Sequence, residues 1–177
     1  MTGSIAGAGL KKNMGSVDLF AGAWYSKLNQ GKQFQNKLGI TWFPGGNLSL
    51  YMGAYGNSQY ESISGTESTF RIIPEFLFGF AISEKVWFDL NAAMGEMTNY
   101  LENNGSIVYN SFSEIIEKKV KFSISIPVSD KGTLLYLGGK WTAMRSEFYP
   151  FEPGTTDLSN PINYNAISIY GGISWKF

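Results

Sequence analysis

The stretch that decides the fold is AISIYGGISWKF, residues 166–177. In this stretch, large apolar side chains alternate with small or polar ones. The apolar face carries Ile167, Ile169, Ile173, Trp175 and Phe177. A period of two over about ten residues is typical of a β-strand whose two faces meet different surroundings. The stretch therefore predicts a strand with one apolar face and one polar face.

The same alternation recurs along most of the chain. It predicts further strands at residues 17–26, 36–43, 47–57, 69–83, 85–94, 119–129 and 134–143. Together with the terminal strand, these segments predict an all-β protein of about eight strands. Pro74 interrupts one of them. Because proline gives up a ladder hydrogen bond, we expect a local bulge or kink at that residue.

Short connections alternate with long ones between the predicted strands. The short connections FPGGN, ISEK and SDKG hold residues that favour tight turns. The long, polar connections are KLNQGKQFQ, NSQYESISGTES, residues 96–117 and residues 145–165. This pattern is typical of an antiparallel up-and-down transmembrane β-barrel, with short periplasmic turns and long extracellular loops. We expect a closed wall, because lipid cannot satisfy the hydrogen-bonding groups of an open strand edge.

Aromatic rings fall near both ends of the predicted strands. Those near the short turns are Trp42, Phe43, Trp87, Phe88, Trp175 and Phe177. Those near the long loops are Trp24, Tyr25, Tyr55, Phe70, Trp141 and Phe148. Two such girdles are expected at the two interfaces of a membrane. A soluble barrel of the lipocalin type is the alternative, but the polar face holds too little bulky apolar surface for a soluble core.

Composition excludes several classes of function. The 177 residues, which fit a single domain spanning 1–177, include 14 basic and 14 acidic side chains, and no basic run indicates a nucleic acid partner. There is no cysteine and no histidine. Without the commonest general base and metal ligand, we expect no enzyme activity, no catalytic residue, no metal site and no cofactor.

The terminal strand also carries a resemblance. Through Tyr170, Ile173, Trp175 and Phe177 it resembles the last strand of bacterial outer-membrane proteins. The whole chain is similar in architecture to the small eight-stranded group that includes the OmpA transmembrane domain, OmpX and OmpW. The resemblance implies that the barrel-assembly machinery recognises this strand. It also implies an outer-membrane location in contact with lipid and lipopolysaccharide, with the export signal absent from this chain.

The polar face of the predicted strands carries several charges. Those assigned to the interior of the barrel are Asp18, Arg71, Glu75, Asp89, Lys121 and Lys140. An eight-stranded barrel leaves an interior that side chains just fill, so one interpretation is a plug of paired charges. The other interpretation is a narrow polar path for small solutes, with these side chains at its constriction.

Residues 1–16 leave the strand count open. They are either a periplasmic arm outside an eight-stranded wall or an additional strand, which would give an odd number. Three functions are compatible with the pattern. The first is a structural or interaction role, in which a plugged barrel displays its extracellular loops to an envelope partner. The others are a channel for small solutes or hydrophobic molecules, and a subunit or C-terminal part of a larger outer-membrane barrel assembly.

Overall fold

Over the residues that the structure describes, all regular secondary structure is β-strand. The computed structural model describes residues 3–28, 31–63, 67–82, 85–102, 107–109, 114–128, 132–146 and 161–174. Its strands are β1 (Ser4–Asn13), β2 (Val17–Leu28), β3 (Gly31–Trp42), β4 (Leu50–Ile63), β5 (Thr69–Ile82), β6 (Val86–Met97), β7 (Tyr100–Glu102), β8 (Ile107–Tyr109), β9 (Glu114–Pro127), β10 (Leu134–Ser146) and β11 (Ile162–Ser174). Within those ranges, no helix is long and apolar enough to cross a membrane.

Nine of these strands form one sheet. Their order is β1-β2-β3-β4-β5-β6-β9-β10-β11, and every neighbouring pair is antiparallel. The short strands β7 and β8 pair only with each other, as an insertion between β6 and β9. The predicted all-β, antiparallel, up-and-down architecture is thus confirmed. Over the described residues the sheet is open, with β1 and β11 as its two edges.

The N-terminal segment is a strand of this sheet. β1 pairs with β2 along its whole length, from Ser4 opposite Lys27 to Asn13 opposite Asp18. The turn between the two strands uses Gly15 at a φ of 74°, a conformation that glycine adopts without steric cost. Of the two alternatives for residues 1–16, the structure has the additional strand, and the sheet therefore has nine strands where eight were expected.

The sheet buries its polar face and exposes its apolar face. Exposed side chains include Leu19, Leu38, Ile40, Trp42, Met52, Phe76, Phe78, Leu90, Phe122, Leu135, Leu137, Ile167, Ile169 and Ile173. Buried polar side chains include Asp18, Gln33, Gln35, Thr41, Asn57, Gln59, Glu61, Glu75, Lys119 and Thr142. This is the reverse of the usual soluble distribution, in which large apolar side chains are inside.

Several rings predicted for the girdles lie inside instead. Trp24 is only 4% exposed, and Trp87 lines an internal cavity. Tyr55 is half-buried and faces the interior, where it packs over Gly39. The reason is the pleat: these residues share the polar face with their neighbours at i±2, so they fill the interior rather than reach an interface.

The pairing between β5 and β6 ends before either strand does. Their pairing runs from Ile82 opposite Val86 only to Glu75 opposite Ala93, and the register of β6 against β9 then shifts between Met94 and Met97. Pro74 therefore lies just where the ladder ends and no donor to β6 is needed. Its pairing with β4 continues without a register shift, so the bulge expected at Pro74 is absent from that ladder. The register shift lies in β6 instead.

The strands extend further than predicted on the side of the long connections. β2 ends at Leu28 and β3 begins at Gly31, although KLNQGKQFQ was expected to be a long loop. β4 likewise continues to Ile63, into the segment NSQYESISGTES. The strands on either side of the short connections FPGGN, ISEK and SDKG meet at one end of the sheet, called here the short-turn end.

Candidate functional site

The interior of the sheet holds a piece of the chain itself. Gly95, near the end of β6, has a φ of 122°, and Asn99, just after β6, has a φ of 49°. Residues 98–102, called here the inner segment, pack against the buried polar face. Tyr100 is 2% exposed and Leu101 is 3% exposed. A side chain at Gly95 would meet the backbone oxygen of Ile72 at 2.8 Å, so only glycine fits at this bend.

Amide side chains on β3 and β4 bind the backbone of the inner segment. Gln35 donates from Nε2 to the Leu101 carbonyl at 2.8 Å and accepts from the Leu101 N–H at 3.0 Å. Gln59 donates to the Thr98 carbonyl at 2.5 Å and to Gln33 Oε1 at 3.0 Å. Gln35 and Gln59 lie directly opposite each other in the sheet. The amide side chains thus supply to the segment the hydrogen bonds that a neighbouring strand would otherwise give.

Charged side chains anchor both ends of the inner segment. Near its start, Asn99 donates to Glu61, which also pairs with Arg71 at 2.7 Å. At its end, the Glu102 carboxylate pairs with Lys119 at 2.9 Å and with Lys121. Because the Lys119 side chain is 1% exposed, its charge depends on that buried carboxylate.

An apolar cluster lies beneath the same segment. It consists of Ile73, Ala93, Met97, Tyr100 and Ile116, with Met144 packed against it. Residues of β5, β6 and β9 therefore meet the ring of Tyr100 inside the sheet. The segment is held by burial of apolar surface as well as by hydrogen bonds.

The six charges predicted for the interior lie on the buried face but belong to separate groups. Asp18 pairs with Lys11 at 2.7 Å, Glu75 with Lys37 at 2.6 Å, and Arg71 with Glu61 at 2.7 Å. Asp89 accepts from Tyr51 and, at 3.5 Å, from Ser123. Lys121 pairs with Glu102, and Lys140 is half-buried opposite Lys121 in the register.

Two cavities lie on the buried face of the described sheet. The first, of about 430 Å³, is lined by Glu75, Asp89, Lys121 and Glu102, and also by Lys11 of β1 and Tyr170 of β11. Since both edge strands contribute to it, the sheet is curled around its polar face. The second, of about 460 Å³, lies towards the short-turn end, is lined by Asp18 and Asp89, and has more apolar walls.

The residues that hold the inner segment were missed because the strands were taken to end too early. Gln33 and Gln35 continue the alternation of β3 into the expected loop, and Gln59 and Glu61 continue that of β4. The two-residue alternation was therefore the sequence signal that the strands continue. Nothing comparable marks the inner segment, because its strand β7 has only three residues, all buried.

The structure describes two of the four residues predicted to form the barrel-assembly signal. Tyr170 and Ile173 lie on β11, with Tyr170 facing the first cavity and Ile173 exposed on the apolar face. Trp175 and Phe177 lie outside the described residues. Within the described ranges, no group of three acidic side chains is placed to hold a metal ion.

Comparison with known protein families, curated proteins and solved structures finds no match. Two features of the structure therefore bear on function. The sheet exposes its apolar face and buries its polar face, and the inner segment lies against the buried face.

Proposed function

We propose that this protein is an outer-membrane β-barrel protein with a structural or interaction role, whose interior is plugged by its own inner segment. One observation carries the proposal: the face of the sheet that is exposed is apolar, and the face that is buried is polar and packs against the inner segment. Lipid and lipopolysaccharide cover the exposed face, and the barrel-assembly machinery recognises β11. Loops at the end opposite the short turns meet the envelope partner.

The orientation of the two faces is tested with spin labels. The chain has no cysteine, so single cysteines can be labelled one at a time in protein refolded into lipid vesicles. We expect a lipid-soluble quencher to reach labels at Phe78, Ile124 and Ile169. Labels at Ser125 and Ser168 should be shielded from it. Reversed accessibility would mean that the polar face is outside and would overturn the proposal.

The plug is supported by the contacts of the inner segment. Its backbone is bound by Gln35 and Gln59, and its Glu102 carboxylate is neutralised by two lysines. Buried ion pairs and amide contacts of this kind favour one conformation of the segment. In planar bilayers we therefore expect no steady current from the wild-type protein. A steady ohmic current would favour the channel over the plugged structural role.

The open edges of the sheet favour a second candidate function, that of a subunit in a larger barrel assembly. The sheet has nine strands, and over the described residues β1 and β11 pair with no further strand. Lipid cannot satisfy the N–H and C=O groups of such edges. Pairing between edges of different chains would satisfy them.

Light scattering of the detergent-solubilised protein tests this second candidate. We expect a protein mass that is a multiple of 19.6 kDa, or the mass of a complex with a different partner after native purification. A particle containing one chain alone would contradict the assembly. It would leave the plugged single barrel as the function.

A further inference from the structure

Asp89 lies in an unusual position on the buried face. Gly79 of β5 lies directly between Tyr51 of β4 and Asp89 of β6 in the register. A Cβ at Gly79 would meet the Tyr51 ring at 2.2 Å. Because glycine leaves this space open, the Tyr51 ring crosses β5, and its hydroxyl donates to the Asp89 carboxylate. The carboxylate is therefore held in one place by a neutral donor.

Four carboxylates are buried among the described residues, and each has a cationic partner. Asp18, Glu61, Glu75 and Glu102 pair with Lys11, Arg71, Lys37 and Lys119. Among the described residues, no lysine or arginine nitrogen lies within the 4.0 Å of an ion pair from Asp89. Asp89 is half-buried, and a carboxylate partly withdrawn from water without a counter-charge is less stable than an exposed one. Lys11 also lines both cavities, but it is paired with Asp18, so Asp89 lacks the ion-paired cation that the buried carboxylates have.

The walls around Asp89 suit an organic cation. Asp89 and Tyr51 line both cavities, so the carboxylate lies at their junction. Beside it, the second cavity presents the rings of Phe43 and Trp87, and Phe43 lies 6.1 Å from the Tyr51 ring. Ca²⁺ and Mg²⁺ prefer six or more oxygen ligands, which this mixed apolar wall does not offer. Aromatic faces attract cations that keep an apolar body.

The protein already contains one such arrangement. Lys37 Nζ lies 2.6 Å from Glu75 and 4.5 Å from the centroid of the Tyr55 ring, inside the first cavity. There a carboxylate and an aromatic ring share one ammonium group. Asp89, Tyr51 and Trp87 offer a carboxylate and rings without the ammonium.

We propose that the cavity at Asp89 binds a small organic monocation, an amine that carries an apolar or aromatic body. The ammonium group pairs with Asp89, and the body packs against Trp87 and Phe43. The second cavity, of about 460 Å³, is large enough for a molecule of this size. This binding function is separate from the structural role proposed above, because it does not depend on what covers the outer face.

Isothermal titration calorimetry with benzylammonium tests the proposal. Benzyl alcohol, of nearly the same shape but neutral, is the matched ligand, and titration into empty micelles corrects for partitioning. We expect saturable binding of benzylammonium that is about 10- to 100-fold tighter than that of benzyl alcohol. Equal binding of the two, or no saturable binding of benzylammonium to the protein, would overturn the proposal without any variant.

Variants locate the site. Asp89→Asn removes the charge but keeps an oxygen that accepts from Tyr51, so we expect a folded protein that loses about 10- to 100-fold in affinity for benzylammonium. Ser125→Ala, in the wall of the same cavity, is the control and should leave the affinity unchanged. Trp87→Leu should weaken binding by several fold. Unchanged affinity in Asp89→Asn would show that the cation binds elsewhere.

Discussion

Gly39 lies directly opposite Tyr55 on the buried face, and the ring of Tyr55 covers it. The pairs Gly79 with Tyr51 and Gly138 with Tyr170 repeat this arrangement. Each glycine provides room for a ring that would otherwise point into the centre of a narrow interior. In these three pairs, glycine therefore serves to pack a tyrosine ring across the neighbouring strand rather than to form a turn.

The variant Gly39→Ala tests this packing. The new Cβ would lie 2.0 Å from the Tyr55 ring, so the ring must move, and the hydroxyl contact of Tyr55 with Thr41 at 2.6 Å would be lost. We expect a loss of about 1–3 kcal/mol in the free energy of unfolding, measured by urea titration of protein refolded into lipid. In Gly56→Ala, the matched control on β4, the new Cβ has no described atom within 4 Å. That variant should be as stable as the wild type or slightly more stable.

The ion pairs of Glu102 give a second prediction at this scale. Glu102→Gln removes the carboxylate from both Lys119 and Lys121, and we expect it to cost about 3–5 kcal/mol of unfolding free energy. Lys119→Met should cost much less, because Glu102 keeps Lys121 and the methionine chain replaces the buried lysine stem. Urea titration measures both. A larger loss for Lys119→Met would contradict the assignment of Glu102 as the shared partner.

At the scale of elements, the alternation of the sequence predicted the strands well where their outer face is apolar. β5 and the paired parts of β6 and β9 follow it closely, because a period of two with one apolar face has only one consistent register. The alternation left residues 4–13 undecided between an arm and an additional strand, because their small side chains alternate weakly. It was wrong at residues 31–35 and 58–63, where polar residues continue the strand.

The polar interior could be predicted only in part. The pleat places Glu75, Asp89 and Lys121 inside, and the structure has them around one cavity. Their partners depend on contacts between distant strands, such as Lys37 with Glu75, which a local pattern does not contain. The inner segment depends on the turn at Gly95 and on Gln35, a residue 66 positions before Leu101 in the chain.

Removing the amide of Gln35 should loosen the inner segment without unfolding the sheet. Gln35→Leu keeps the volume but leaves the Leu101 N–H and C=O without their partners. We expect the hydrogen exchange of the Leu101 amide to become about tenfold faster or more. Phe34→Leu is the control on the same strand, because Phe34 neighbours Gln35 in the chain but lies on the exposed face of β3. Equal protection of the amide in Gln35→Leu and wild type would contradict the proposed role of the segment's amide contacts.

At the scale of the whole molecule, the sheet is an inverted version of a soluble protein. Its apolar surface is exposed on the outside, and its buried face is held by ion pairs and amide contacts. In water the exposed face would drive association, whereas in lipid it needs no cover. The stability of the fold therefore depends more on whether water or lipid covers the apolar face than on a conventional apolar core.

Replacing residues 98–102 by glycine would empty the interior while leaving the wall strands unchanged in sequence. We expect bursts of conductance in planar bilayers from this variant and none from the wild type, because the side chains of Tyr100, Leu101 and Glu102 no longer fill the space. Phe34→Leu, on the exposed face of β3, serves as a second non-conducting control. A silent glycine variant would mean that other side chains close the path.

The route of the inner segment also constrains the order in which the molecule forms. Its contacts join Gln35 on β3 to Lys119 on β9 across the interior, so they require strands from both halves of the sheet to be curled towards each other first. Contacts between residues so distant in the chain form slowly. We therefore expect the segment to dock late in folding. Once docked, its contacts to β3 and β9 hold the two halves of the sheet together and fix its curvature.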